Sequence, residues 1–167
     1  TADPRIVPAA RKLDAIGYEA MLEMAASGAG VLQLRSVEFA RNHGVVIHCR
    51  SSFNDNSGTI VREADATMEQ AIISGVTHDT SEAKMTIRDV PDRPGVAAFV
   101  FTHMAEANVN VDMIIQNVSE DGTTDISFTT PKTDLVRAKK AAEDVVGELE
   151  ARTWSVDESV AKISLVG

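Results

Sequence analysis

Aromatic residues are scarce in this chain, at 4% of 167 residues with a single tryptophan. Any core must therefore rest on Val, Ile, Leu, Met and Ala. Cysteine is scarcer still: the one cysteine, Cys49, excludes an internal disulfide and suits a reducing cytoplasm. No apolar run approaches the roughly 20 residues that a membrane-spanning helix needs. Basic residues are outnumbered, with 16 Lys and Arg against 25 Asp and Glu and a formal net charge of −9. Such a surface repels phosphate backbones and anionic lipid, which argues against nucleic-acid and membrane partners. His43, His48, His78 and His103 lack metal-ligand spacing, so no metal site is expected. Ser51 and Ser52 have no His–Asp pattern near them to make a nucleophile. A Walker-type glycine loop is missing too. The chain starts at Thr1 without a signal-like stretch, and it is expected to be a cytoplasmic piece of something longer.

What is present is patterned, and the pattern changes part-way along. Residues 1–16 are polar and broken by Pro4 and Pro8. Apolar residues at Tyr18, Met21, Leu22 and Ala25 predict a helix over 17–26. A second helix is predicted over 31–43, with Val31, Leu34, Val37 and Ala40 on one face and Gly44 as its stop. Short strands follow at 45–50 and 59–61, across a loop dense in Ser, Asn and Asp. Residues 63–70 lack apolar periodicity and mark a boundary. Beyond them strands are predicted at 71–79, 82–90, 108–119 and 123–130, with helices over 94–107 and 132–150. Val96, Val100, Met104 and Ala107 form the first buried stripe, and Leu135, Ala138, Ala142, Val145 and Leu149 the second. Two last strands close the chain, and Trp154 is expected to anchor one of them by packing. From 82 to 157 the order is βαββαβ, which gives an α+β, ferredoxin-like unit: an antiparallel sheet with both helices on one face.

The stretch VPDRPGVAAFVF, 90–101, is where the first strand of that unit meets its first helix. Pro94 fits a first helical turn, where its missing N–H costs nothing. Gly95 allows close approach of a ligand or another backbone. Free N–H groups at a helix start suit a carboxylate, and Asp92 beside them could hold an ammonium group. Together these describe a free amino acid. The plainer alternative is that Asp92 caps the helix and Gly95 only permits packing. In NVNVDMIIQNVS, alternation predicts Val109, Val111, Met113 and Ile115 on the helix-covered face. Asn110, Asp112, Ile114 and Gln116 then fall on the open one.

DRPGVAA, NVNVDMIIQNVS and GTTDISFT together resemble the ACT domain, a small-molecule-sensing regulatory module. With TADPRIV, GAGVLQLRSVEFAR, HCRSSF…GTIV, GVTHDTSEAKMTI and VAKISLVG the resemblance narrows to the aspartate kinases. It is nearest to the actinobacterial type inhibited by lysine and threonine. The resemblance implies that residues 1–62 end an amino-acid-kinase catalytic domain and that 82–157 are a first ACT domain. It further implies that 71–81 and 158–167 are strands of a second, incomplete ACT unit. The parent reaction it implies is ATP-dependent, magnesium-assisted phosphorylation of L-aspartate. Thr1, Asp3 and Arg5 would lie in the nucleotide site. Asp92, Gly95, Ala97, Asn110, Val111, Asp112 and Gln116 would bind threonine or lysine as effector, between paired domains. Ser119 and Ser127 would be regulatory positions, with a bulky group at Ser119 weakening effector binding. A homodimer through ACT domains, with or without separate catalytic subunits, is the implied assembly.

One position departs from the family pattern. Gly30 stands where the family usually carries a nucleotide-binding lysine. The Lys-Phe-Gly-Gly strand and the aspartate-binding part are also absent, so the chain alone is expected to be inactive. Gly30 favours a second reading, a non-catalytic ACT-type binding or dimerisation module. The TADPRIV segment, of no use to a pure sensor, favours the kinase.

Overall fold

A computed structural model describes residues 1–65, 68, 73–118 and 122–167. In chain order the elements are β1 (Ala15–Gly17), α1 (Tyr18–Ala26), α2 (Leu34–Asn42), β2 (Ile47–Cys49), β3 (Thr59–Arg62), β4 (Gly75–Asp79), β5 (Glu82–Pro91), α3 (Val96–Glu106), β6 (Ile114–Val118), β7 (Thr123–Pro131), α4 (Leu135–Leu149), β8 (Thr153–Asp157) and β9 (Lys162–Val166). A 3-10 turn, Lys132–Asp134, leads into α4. The chain divides into two compact units, Thr1–Asp79 with Lys162–Gly167, and Thr80–Ala161.

In the first unit β1 runs parallel to β3, and β2 pairs antiparallel on the other side of β3. Ile16, Tyr18, Met21, Met24, Val37, Ala40, Val61 and Val166 form its core. Strand β1, at three residues, carries too little alternation for the sequence to announce it. Helix α2 starts at Leu34, and Val31 and Leu34 are exposed rather than on the predicted apolar stripe; only Val37 and Ala40 are buried. Tyr18 anchors the unit with a hydroxyl that donates to Val45 O at 2.7 Å. Strands β4 and β9 pair antiparallel, Gly75 opposite Val166 through Asp79 opposite Lys162. Of the strand expected over 71–79, residues 71 and 72 fall outside the described residues. So do 66, 67, 69 and 70 of the expected boundary.

The second unit is the expected βαββαβ arrangement. Its four-stranded sheet has the order β6-β7-β5-β8, with every neighbouring pair antiparallel. Strand β7 alternates, with Thr124, Ile126, Phe128 and Thr130 buried. Val96, Val100 and Met104 of α3 pack with Leu135, Ala138, Ala142, Val145 and Leu149 of α4 over Met85, Ile87, Ile126 and Phe128. Both helices therefore cover one sheet face, and the predicted stripes are the buried ones apart from Ala107, which caps α3 half-buried. Phe101 meets Phe128 edge-on at 5.7 Å, and Trp154 packs against the same core. Lys84, Thr86 and Arg88 lie on the other face, opposite Asp157, Ser155 and Thr153.

Two local expectations are corrected. Helix α3 begins at Val96 with Gly95 as its N-cap, so Pro94 stands before the cap and not in the first turn. The face assignment of 113–116 is reversed. Asp112 N donates to Thr129 O at 3.1 Å and Thr129 N donates to Met113 O at 2.9 Å, so two residues oppose one. That bulge shifts the alternation by one residue. Val109 stays buried and Val111 packs against the core. Beyond the bulge, however, Ile114 pairs with Phe128 and Gln116 with Ile126 on the helix side, while Ile115 pairs with Ser127 on the open side.

Candidate functional site

The β5–α3 loop is built from its hydrogen bonds. Asp92 N donates to Gly122 O at 2.9 Å, which ties the loop to the start of β7. Arg93 N donates to Pro91 O at 3.0 Å and Val96 N to Arg93 O at 3.3 Å, closing a tight turn. Gly95 has φ +93, and a Cβ added there would meet no atom of the described residues within 4 Å. The backbone angle, not packing inside the unit, calls for glycine. Among the described residues no side chain caps α3. The N–H groups of Ala97 and Ala98, which have no carbonyl one turn earlier in the helix, point out of its positive end. Asp92 is exposed beside them. The loop thus offers an anion site and a carboxylate together.

The other predicted effector residues are not beside it. Pro91, at the loop, pairs with Thr123, whereas Asp112 bonds to Thr129 at the far end of the same strand. Six residues of β7 separate these points, about 20 Å at strand rise. Asn110 is fixed at that far end: its N–H donates to Asp134 Oδ2 at 3.1 Å, and its carbonyl accepts the Thr130 hydroxyl at 2.7 Å. Gln116 lies between, opposite Ile126 on an exposed strand. Ser127 sits mid-sheet on the open face, its hydroxyl 2.9 Å from that of Thr86. Ser119 lies outside the described residues. A single unit therefore gathers Asp92, Gly95 and Ala97 at one end and Asn110, Val111 and Asp112 at the other.

Between the two ends runs β6, at the edge of the sheet, paired among the described residues with β7 alone. Met113, Ile114 and Ile115 are 46%, 54% and 50% exposed there. Three large apolar side chains on an edge strand are a surface to cover.

Asp3 and Arg5 are held together by local bonds, and Thr1 is bonded elsewhere. The Arg5 guanidinium grips the Asp3 carboxylate through Nη2 to Oδ2 at 2.7 Å, and Arg5 N donates to Asp3 Oδ1 at 2.9 Å. These bonds hold the Asp3 carboxyl down to about 2. Thr1 is laced to β4 and the residue before it: its ammonium donates to Ser74 O at 2.7 Å and its carbonyl accepts Val76 N at 2.7 Å. Gly30 has φ +36 and its nearest steric neighbour is Gly28 O at 3.9 Å. A Cβ would fit there, but the backbone favours glycine over the lysine usual in the resembling family. Among the described residues no group of three or more His, Cys, Asp or Glu could hold a metal.

Residues 88–145 match the ACT domain family. The aspartokinase of Mycolicibacterium smegmatis is 52% identical over 171 aligned positions, taking in all of this chain and 41% of that protein. Over its whole length the chain is similar to aspartokinases. It spans about two fifths of the length of the curated relatives it matches (41%). Among solved structures, the aspartate kinase from Synechocystis is 35% identical, with a TM-score of 0.55 over 100% of this chain and 31% of that one. The E. coli aspartokinase III in complex with lysine and aspartate is 25% identical, with a TM-score of 0.66 over 99% of this chain and 36% of that one. Within this chain the ACT match starts at Arg88, towards the end of β5, and takes in the loop, α3, β6, β7 and most of α4.

Proposed function

We propose that this chain is the feedback-sensing segment of an aspartate kinase, working as a pair of ACT domains with an amino acid bound between them. The parent reaction in this reading is ATP-dependent phosphorylation of L-aspartate to 4-phospho-L-aspartate, with magnesium, in the cytoplasm. Residues 1–62 end the catalytic domain, where Thr1, Asp3 and Arg5 border the nucleotide, and 82–157 are the sensor. Strands β4 and β9 are the beginning of a second ACT unit. That assignment is supported by their apolar face, on which Val76, Ile163 and Leu165 are exposed.

The observation that carries the sensor reading is the division of the binding groups between the two ends of one unit, with an uncovered apolar edge between them. Pairing two β6 edges antiparallel about a two-fold axis sets the loop end of each copy beside the 110–112 end of the other. Asp92 then receives the ammonium group of the effector. The N–H groups of Ala97 and Ala98 receive its carboxylate. Asn110 and Asp112 of the second copy read its side chain. Two equivalent sites form, and neither exists in a lone unit. Lysine is held by a related aspartokinase III, and threonine fits the same main-chain groups with a smaller, hydroxylated side chain.

Isothermal titration of the dimeric protein with threonine and with lysine tests the proposal. Saturable heat with one of them, lost in Asp92→Ala, is expected. A folded dimer that gives no heat with either amino acid contradicts it. The alternative, a module that only dimerises, is the reading left by that second result.

A further inference from the structure

Strand β5 does not run regularly into the loop. Ile87 pairs with Ile126 and Val90 with Thr124, which leaves Arg88 and Asp89 together opposite Asp125. Asp89 has φ +54, uncommon for a residue with a side chain. A bulge of this kind takes one N–H out of the ladder. Here Asp89 N donates to Asp125 Oδ1 at 3.0 Å instead. Strand β8 supports the same point from the other side: Arg152 N donates to Arg88 O at 3.1 Å, and the Arg152 guanidinium is 3.4 Å from the Asp89 carboxylate.

The extra residue decides which way the loop leaves. In unbroken alternation from Ile87, Asp89 would enter the core and Val90 would face out. With the bulge, Ile87 and Val90 are both fully buried. The chain enters Pro91 and Asp92 rotated by one residue. We infer that Asp125 is a positioning residue for the β5–α3 loop: its carboxylate holds the bulge that sets how Asp92 and Gly95 are presented. The functional consequence rests on reading that loop as the effector site.

Two readouts on the 167-residue chain separate the inference from that reading. The first is amide hydrogen exchange over residues 89–96. Asp125→Ala removes the acceptor, whereas Asp125→Asn keeps an oxygen in its place. Exchange at Asp89 and through the loop should rise about tenfold or more in Asp125→Ala, as expected for a lost hydrogen bond to a charged acceptor, and return in Asp125→Asn. Should Asp125→Ala fold poorly, adding Asp89→Gly relieves the positive φ without restoring the bond, so stability should recover and loop protection should not. The second readout is calorimetry with threonine and lysine, where affinity should fall about tenfold in Asp125→Ala and recover in Asp125→Asn. Unchanged loop exchange in Asp125→Ala overturns the inference, as does wild-type affinity in that variant. If the unaltered chain binds neither amino acid while the exchange pattern holds, the effector reading falls and the positioning role stands.

Discussion

Asp92, Gly95 and Asp3 show how far single residues can be read before any fold is known. Gly95 stood out for its place between a strand and a helix. Its φ of +93, with no described atom within 4 Å of an added Cβ, gives the reason. Gly95→Ala should destabilise the unit by about 1–2 kcal/mol, the usual penalty of left-handed backbone for a residue with a Cβ, measured by urea unfolding. A neutral result would mean the loop adopts another conformation. Asp3 offers a test by pH. Its carboxyl is lowered from 3.8 to about 2, first by the side-chain bond from Arg5. A depressed carboxyl stabilises the folded state above its unfolded value, and that contribution is lost as pH falls from about 4 toward 2. Arg5→Gln should bring the Asp3 titration, followed by carbon NMR, back up toward 3.8. Asp125 was not legible at this scale. In DGTTDISFT it is one polar residue of an alternating strand, and its partner Asp89 is far off in sequence and made special only by the bulge.

At the scale of elements, period carried most of the fold. The stripes of α3 and α4 are strong because four or five apolar residues recur at helical spacing and all face one sheet. Met104, fully buried between that sheet and α4, should cost about 2–5 kcal/mol as Met104→Ala, read from the shift of the unfolding midpoint. A loss below about 1 kcal/mol would contradict the packing described for α3. Strand β6 shows where period fails. Alternation from Val109 gives the right face up to Val111, and the two-against-one contact at Asp112, Met113 and Thr129 then reverses it. Nothing in the string NVNVDMII announces a bulge, because apolar residues fall on both sides of it. The same blindness hid β1, whose three residues become a strand only through pairing with Thr59–Arg62.

For the whole molecule the proposed consequence is an assembly. The family and the βαββαβ unit were legible from several motifs in one order. The separation of the expected effector residues to opposite ends of that unit was not, since sequence order says nothing of which end of a sheet a loop occupies. That separation makes the second copy necessary to the proposed site, and the proposal docks it on the exposed Met113, Ile114 and Ile115. Effector bound across the pair must then tighten it by linkage. The most direct measurement is sedimentation velocity of the chain over a concentration series, with and without threonine or lysine, beside Ile115→Asp. The account predicts a monomer–dimer equilibrium that one of the two amino acids shifts toward dimer, and a monomer in Ile115→Asp whatever is added. A chain that stays monomeric at high concentration with either amino acid, or an Ile115→Asp variant that dimerises as well as the parent, would contradict it.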